Sequence, residues 1–175
     1  MDASHFVHGA FVCCLWCFVR LFVRSPSGRK RWNVLGAVDL VTKQLVTVTN
    51  TTYITATTVC ELLRLLAAQH RGAPITLVLD NARYQKCALV QDLAKQLRIE
   101  LLYLPAYSPN LNLIERLWKY VKKQCLNGKY YATFAEFQTA IQDSLNRINT
   151  NCHEDMKTLL TRNFQLFDKR TFLAA

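Results

Sequence analysis

The chain has 175 residues, 51% hydrophobic and 19% charged, with five Gly and four Pro. That composition excludes a disordered chain, a collagen-like repeat and a Gly/Ser linker. The length suits one domain, and a domain of about 150 residues hides roughly two thirds of its unfolded surface. Twenty-two Lys and Arg against 12 Asp and Glu leave a net charge of +10, which favours a polyanionic partner, nucleic acid ahead of an anionic membrane.

In chain order, the first β-rich segment is residues 10–24, aromatic and β-branched, with Cys13, Cys14 and Cys17 inside it. Seven cysteines, an odd number set mostly in apolar runs, read as a reduced intracellular chain and not as a disulfide framework. Cys14 and Cys17 have the spacing of half a zinc knuckle, but no second pair stands at a matching distance, so no zinc site is expected. The apolar run 6–23 is interrupted by His8 and Arg20 and preceded by the acidic start Met1-Asp2, which suits neither a membrane span nor a signal peptide. It reads as two buried strands or a strand pair. Ser25-Pro26-Ser27-Gly28 is a turn, Trp32–Leu40 a second strand and Gln44–Asn50 a third, with a hairpin at Thr42-Lys43.

From Thr55 the apolar period becomes helical. Thr57 or Thr58 is placed to cap a helix whose stripe is Val59, Leu62, Leu63, Leu66 and Ala67, ending near Arg71-Gly72. Ile75–Leu79 is a short continuous apolar run, expected to be a central strand buried on both faces. A helix over 85–98, a buried strand over 99–104 and a helix over 110–126 opened by Ser108-Pro109 follow, then helices over 133–149 and 154–163. Antiparallel strands followed by βαβα units, with no repeat and no linker, predict a mixed-sheet α/β domain.

Two carboxylates stand out. Asp80 follows Ile-Thr-Leu-Val-Leu directly, at the carboxyl end of a strand, where open α/β sheets place their sites; capping the next helix would explain it equally well. Glu115 adjoins the apolar stripe Leu111, Ile114, Leu117, Trp118 and Val121, and a helical i,i+4 contact with Lys119 is its simplest structural explanation.

Asp80-Asn81 after an apolar strand, and Ser108-Pro109-Asn110-Leu111-Asn112-Leu113-Ile114-Glu115-Arg116-Leu117-Trp118, with 34 residues (81–114) between Asp80 and Glu115, resemble the catalytic core of DDE transposases. The nearest branch is the bacterial insertion-sequence relatives of the mariner superfamily, and the resemblance runs from Asp2 to about Phe167. It implies an RNase H-like mixed sheet of about five strands, the first three antiparallel, flanked by helices. Residues 1–168 would be the catalytic domain and 169–175 a tail. Carried over by motif, the catalytic, metal-binding carboxylates are Asp2 on the first strand, Asp80 after the fourth and Glu115 on a later helix.

Such a site would hold Mg²⁺ or Mn²⁺, hard ions that prefer oxygen ligands, as two ions about 3.5–4 Å apart. The resemblance implies cleavage of phosphodiester bonds at transposon ends, by water and then by a DNA 3′-hydroxyl, with strand transfer to target DNA. Asp39, the competitor for the first position, falls at the hairpin, where Asp is a common turn residue. His5 and His8 are expected to pack or lie at the surface, as are Tyr103, Tyr107 and Trp118. Arg29, Lys30, Arg31, Arg116, Lys119, Lys122, Lys123 and Lys129 are candidates for DNA phosphate contacts. The family's enzymes carry a helix-turn-helix region ahead of the core, and a single residue precedes Asp2. A first strand truncated at its start, an absent helix-turn-helix region and either a homodimer or a separately encoded helix-turn-helix partner are therefore expected, in the cytoplasm at the nucleoid and without a membrane. The alternative, from the binding class, is a catalytically silent DNA-binding remnant.

Overall fold

The computed structural model of the chain describes residues 1–9, 18, 19, 22, 30–105, 108, 111–150, 153–161, 163 and 164. Three strands, β1 (Asp2–Val7), β2 (Arg31–Val38) and β3 (Leu45–Asn50), form an antiparallel sheet with β2 in the middle. The register pairs Asp2 with Gly36 and Val7 with Arg31, then Asn33 with Asn50 and Val38 with Leu45. The first strand thus lies upstream of the expected segment 10–24. Within that segment the described residues are Phe18, Val19 and Phe22, which are exposed and belong to no strand; the others, and the turn at 25–28, lie outside the described residues. Intrinsic β propensity points to the Val- and Phe-rich run, whereas β1 is placed by its pairing with β2 and by burial of Phe6.

β2 shows period-two alternation between two cores. Trp32 and Val34 face one that includes Phe6, Leu45 and three helices, α3 (Ile114–Leu126), α4 (Phe134–Thr150) and α5 (His153–Leu159). Leu35 and Ala37 face the other, with α1 (Ala56–Gln69), α2 (Ala88–Gln96) and the strands β4 (Ile75–Leu79) and β5 (Ile99–Tyr103). The hairpin from β2 to β3 closes with Asp39 N–H donating to the Gln44 carbonyl at 2.9 Å, and Lys43 takes the left-handed φ of 62° that the turn needs.

α1 starts one turn residue earlier than expected. Thr55 is its N-cap, and Thr58, one of the two expected caps, instead accepts from the Thr55 N–H through its side chain at 3.3 Å. β4 and β5 run parallel, Ile75 against Ile99 through Leu79 against Tyr103, joined by a 3-10 turn at Arg83–Gln85 and α2. β4 is not buried along both faces: Thr76 is exposed and Ile75 and Val78 are half-buried. The β1 ladder stops at Asp2, and among the described residues no strand pairs with β4 on the side away from β5.

α3 begins at Ile114, later than 110; Leu111 N–H to Ser108 carbonyl and Glu115 N–H to Asn112 carbonyl, both 3.1 Å, form a tight lead-in. α5 ends at Leu159 and not at 163, and both terminal nitrogens of Arg116 hold the carbonyls of Thr161 and Asn163 beyond it, each at 2.9 Å. Among the described residues no helix is long and apolar enough to cross a membrane. The two sheets meet where the Met1 amine donates to the Val78 carbonyl at 2.6 Å.

Candidate active site

That junction brings the carboxyl end of β4 beside the start of β1. Asp80 is the first residue past β4, and one of its oxygens, Oδ1, is buried with no hydrogen-bond partner among the described residues. It does not cap a helix: the following 3-10 turn is entered from Ala82 and α2 from Cys87, neither with a side-chain cap. Asn81 holds the turn instead, its Nδ2 donating to the Leu104 carbonyl at 2.5 Å, while Leu104 N–H donates to the Leu79 carbonyl at 2.8 Å. The Asn81 Oδ1 is likewise buried and unpartnered among the described residues.

Asp2 stands opposite Gly36 of β2, and over that glycine lies Trp118 of α3. A Cβ at position 36 would sit 2.8 Å from the indole Cη2, so only glycine lets the ring lie on the strand. Ile114, Leu117, Trp118 and Val121 bury the same face of α3, and this packing turns Glu115, next to Ile114, toward the β1 end of the sheet. Asn112, buried in the lead-in to α3, reaches the Met1 carbonyl with Nδ2 at 3.4 Å. Each element of the site is therefore tied to the first residues of β1.

The electrostatics show that the carboxylates share one field. Burial raises Asp2 above the ordinary carboxylate range and the charge of Asp80 adds to the effect, while the Ala3 N–H and the Met1 amine oppose it. The Trp118 indole N–H comes near enough to favour the Asp2 anion without closing a hydrogen bond of ordinary geometry. Glu115 is raised by burial first, then by Asp2, with Lys119 opposing and Asp80 adding. Burial lowers the Met1 amine to about 6, although Asp2 and Asp80 attract its charge. A formed ion pair with Lys119 does not account for Glu115: the one ion pair within 4 Å among the described residues is Lys157–Glu154.

Two half-buried acids with raised pKa values, together with an orphaned carboxylate oxygen of Asp80 and an orphaned amide oxygen of Asn81, form an all-oxygen donor set whose chemistry suits a hard divalent cation. As the side chains stand, no three Asp, Glu, His or Cys residues among the described ones are close enough to enclose an ion. The donor chemistry suits such an ion, and the spacing of the side chains as they stand does not enclose one.

The histidines are structural. His5 Nδ1 pairs with Asn33 Oδ1 at 2.7 Å, and buried His8 meets the Tyr131 carbonyl at 3.1 Å between the rings of Phe134 and Phe137. Tyr103 donates to the Gln85 carbonyl and Trp118 is buried, both in packing roles; Tyr107 lies outside the described residues, as does Arg29. Lys119, Lys122 and Lys123 are exposed and continue the Glu115 face of α3 at i+4, i+7 and i+8. Lys30, Arg31 and Lys129 are exposed elsewhere, with the Lys30 ammonium 5.7 Å from the Phe134 ring centre. Arg116 differs from these, since its guanidinium is engaged by the Thr161 and Asn163 carbonyls. Sequence reasoning missed Gly36, and it quoted Asn81 and Asn112 in the motif without giving them a part in the site. For Gly36 the signal was available: an isolated Gly inside a strand marks a close approach by another group.

A family model described as DDE superfamily endonuclease matches residues 20–138, taking in Asp80 and Glu115 and leaving Asp2 ahead of it. A Shigella sonnei protein, the insertion element IS630 uncharacterized 39 kDa protein, is 31% identical over 98 residues, 55% of this chain and 29% of its own length. The fold is similar to that of the Mos1 transposase in its paired-end complex with the left transposon end, with TM-score 0.61 and 13% identity over 94% of this chain and 55% of that one. It is also similar to a chain of the simian T-cell lymphotropic virus intasome in complex with PP2A regulatory subunit B56 gamma, with TM-score 0.58 and 19% identity over 96% of this chain and 56% of that one. The chain thus spans less than a third of the curated relative and just over half of the two solved chains. With the family model covering most of its length, the chain belongs to the DDE superfamily endonucleases, and its fold is similar to those of the transposase and intasome chains above.

Proposed function

We propose that the chain is the catalytic core of a DNA transposase that cuts phosphodiester bonds at transposon ends and joins them to target DNA, with Asp2, Asp80 and Glu115 as its metal-binding carboxylates. The observation that carries this is Asp80: a buried carboxylate oxygen without a partner, at the carboxyl end of β4, in the same field as Asp2 and Glu115. A structural carboxylate in such a place would be hydrogen-bonded, because a buried unpaired acceptor costs about 1–3 kcal/mol, and more when charged.

Within this site each residue has a task. Asp2, Asp80 and Glu115 bind Mg²⁺ or Mn²⁺, as one or two ions, through hard oxygen ligands. When bound, such ions stabilise the attacking and leaving oxygens of an in-line displacement at phosphorus. Asn81 fixes the turn that aims Asp80, and Trp118, seated on Gly36, fixes the rotation of α3 and hence the direction of Glu115. Lys119, Lys122 and Lys123, extending from Glu115 along the exposed side of α3, neutralise DNA phosphates, which gives affinity and salt dependence without sequence recognition. Double-stranded DNA is the partner, in the cytoplasm, with a homodimer or a separately encoded helix-turn-helix protein supplying recognition of the transposon ends.

The test is cleavage of DNA carrying the element's ends, with Mg²⁺ or Mn²⁺ and with chelator. Metal-dependent nicking that disappears in Asp80→Asn and in Glu115→Gln is the expected result. Cleavage surviving both substitutions would remove the active-site assignment. Binding at low salt with no cleavage under any metal would establish instead the silent DNA-binding remnant, which the open spacing of the three carboxylates favours.

A further inference from the structure

The turn that follows β4 concentrates unmet hydrogen-bonding capacity. Six buried side-chain polar atoms have no partner among the described residues, and four of them fall between Asp80 and Gln85: Asp80 Oδ1, Asn81 Oδ1, and both Nε2 and Oε1 of Gln85. Asp80 and Asn81 belong to the acid site. Gln85 has no part in it, yet its side chain is fully buried. Its main chain is well held, the N–H donating to the Ala82 carbonyl at 3.0 Å and the carbonyl accepting from the Tyr103 hydroxyl at 3.1 Å. A buried carboxamide with nothing to bond is destabilising, so an apolar side chain of the same size would serve the core better.

Tyr84, next to it, gives the amide a use. Tyr84 is half-buried, with its ring packed on the second core. Burial raises its hydroxyl above the ordinary phenol range, and the charges of Asp80 and Asp2 add to the effect. The phenol therefore stands in the field of two of the acids and keeps its proton, as a neutral donor at the rim of the site. The Gln85 amide comes near enough to the phenol oxygen to oppose that shift, without closing a hydrogen bond of ordinary geometry. Exposed Arg83 and Lys86 flank the pair in sequence. An acid site that acts on a phosphodiester must hold an anion against its own carboxylates, and donors at its rim make that possible. On α3 those donors are Lys119, Lys122 and Lys123, whereas the β4 side has so far supplied none.

We infer that Tyr84 is a further substrate-binding residue, its hydroxyl donating to a DNA phosphate oxygen beside the acid site while the buried Gln85 Nε2 donates to the phenol oxygen. A donor behind the hydroxyl polarises it and strengthens the bond it gives. The inference rests on the proposed function for the identity of the ligand, but it requires DNA binding only and not cleavage.

The test measures binding of the 175-residue chain to a fluorescently labelled DNA duplex of arbitrary sequence, since phosphate contacts carry no sequence information. Tyr84→Phe, which keeps the ring, is expected to weaken binding by about five- to tenfold. The slope of log affinity against log salt is expected to stay unchanged, because it counts cations placed on phosphates, whereas Lys119→Ala reduces it. Gln85→Met is expected to raise the thermal midpoint by about 2–4 °C and to weaken binding in the same direction as Tyr84→Phe. The double variant is expected to bind no more weakly than Tyr84→Phe alone, since the amide acts through the phenol. Unchanged affinity in Tyr84→Phe would overturn the inference and leave the cleavage proposal standing. A lowered midpoint with unchanged affinity in Gln85→Met would also overturn it, by assigning the amide to the scaffold. So would an equal loss of Mn²⁺ affinity in Tyr84→Phe, which would make the phenol a group that aims Asp80. Absence of DNA binding by the unaltered chain would remove the partner from this inference and from the proposed function together.

Discussion

Asp39 and Asp80 each end an apolar strand, β2 and β4, yet the chain uses them in opposite ways. Asp39 lies in a tight hairpin where the N–H groups of Val41 and Thr42 converge on its Oδ1 at 2.7 and 3.2 Å. Burial works against its charge, but those donors prevail and hold the carboxyl below its usual range. Asp80 leaves its strand into a turn organised by the Asn81 side chain and keeps a buried oxygen without a donor. A carboxylate satisfied by its own backbone belongs to the fold, whereas one surrounded by other acids and left unsatisfied is available to a cation.

The sharpest way to break this comparison is to exchange each acid for its amide. Asp80→Asn is expected to reduce metal-dependent DNA cleavage by at least about a hundredfold, since a metal's contribution to the transition state is several kcal/mol. Asp39→Asn, which keeps an Oδ1 acceptor, is expected to leave cleavage unchanged. Comparable losses in both would mean that hydrogen-bond satisfaction does not separate site from scaffold here. Differential calorimetry adds a second readout: Asp80→Asn should stabilise the metal-free protein and abolish its stabilisation by Mg²⁺ or Mn²⁺.

Gly36 tests how the third acid is aimed. Gly36→Ala places a methyl 2.8 Å from the Trp118 ring and 3.4 Å from the Leu45 side chain, so the ring must move. A cost of about 1–3 kcal/mol in urea unfolding is expected, as for other overpacked cores. Because α3 rotates with the ring, affinity for Mn²⁺ should fall as well. Gly36→Ala together with Trp118→Phe, which removes the crowding atoms, should recover part of both; no recovery would place the fault in the strand itself.

Much of this organisation was legible in the chain, and the failures have physical causes. β4, β5 and the helices over 56–69, 114–126 and 134–150 follow apolar periodicity because burial on one stripe or in a short run leaves that mark. β1 came only from the resemblance that places Asp2 on the first strand, and not from propensity, because Asp-Ala-Ser-His-Phe-Val is a weak strand former held by tertiary pairing with β2. Asp80 and Glu115 were identifiable through their motif, and Asp39 through its turn. What periodicity could not supply was contact across the sheet: Trp118 over Gly36 and Asn112 to Met1.

Acidity sharpens the comparison without mutation. Asp2 and Glu115 have higher pKa values in the fold than in the unfolded chain, so the folded protein holds their protons more tightly. Their contribution to stability is present in acid and is lost as pH rises from the ordinary carboxylate range through the raised values. The Met1 amine, lowered from 8.0 to about 6, acts in the other sense, with stability recovered as pH rises across that interval. Metal-free protein should therefore show a shallow stability minimum between the two ranges. Saturating Mg²⁺ should remove the acidic limb by neutralising the repulsion, and a profile indifferent to Mg²⁺ would detach these acids from metal binding.

The smallest expected effect belongs to Asp39, and its smallness is informative. Asp39→Ala removes two hydrogen bonds from a partly exposed turn, a loss of about 1 kcal/mol by the usual net value of such bonds. Its carboxyl is depressed in the fold, so the stability it contributes is present at neutral pH and lost as pH falls through the depressed value. Asp39→Asn should retain most of the turn's stability but lose that dependence on acid. If Asp39→Ala lowered Mn²⁺ affinity as much as Asp80→Asn does, the hairpin and not β1 would supply the first metal-binding acid. Intact affinity, with a modest stability loss measured in the same preparation, would leave Asp2 as the acid that faces Asp80 and Glu115.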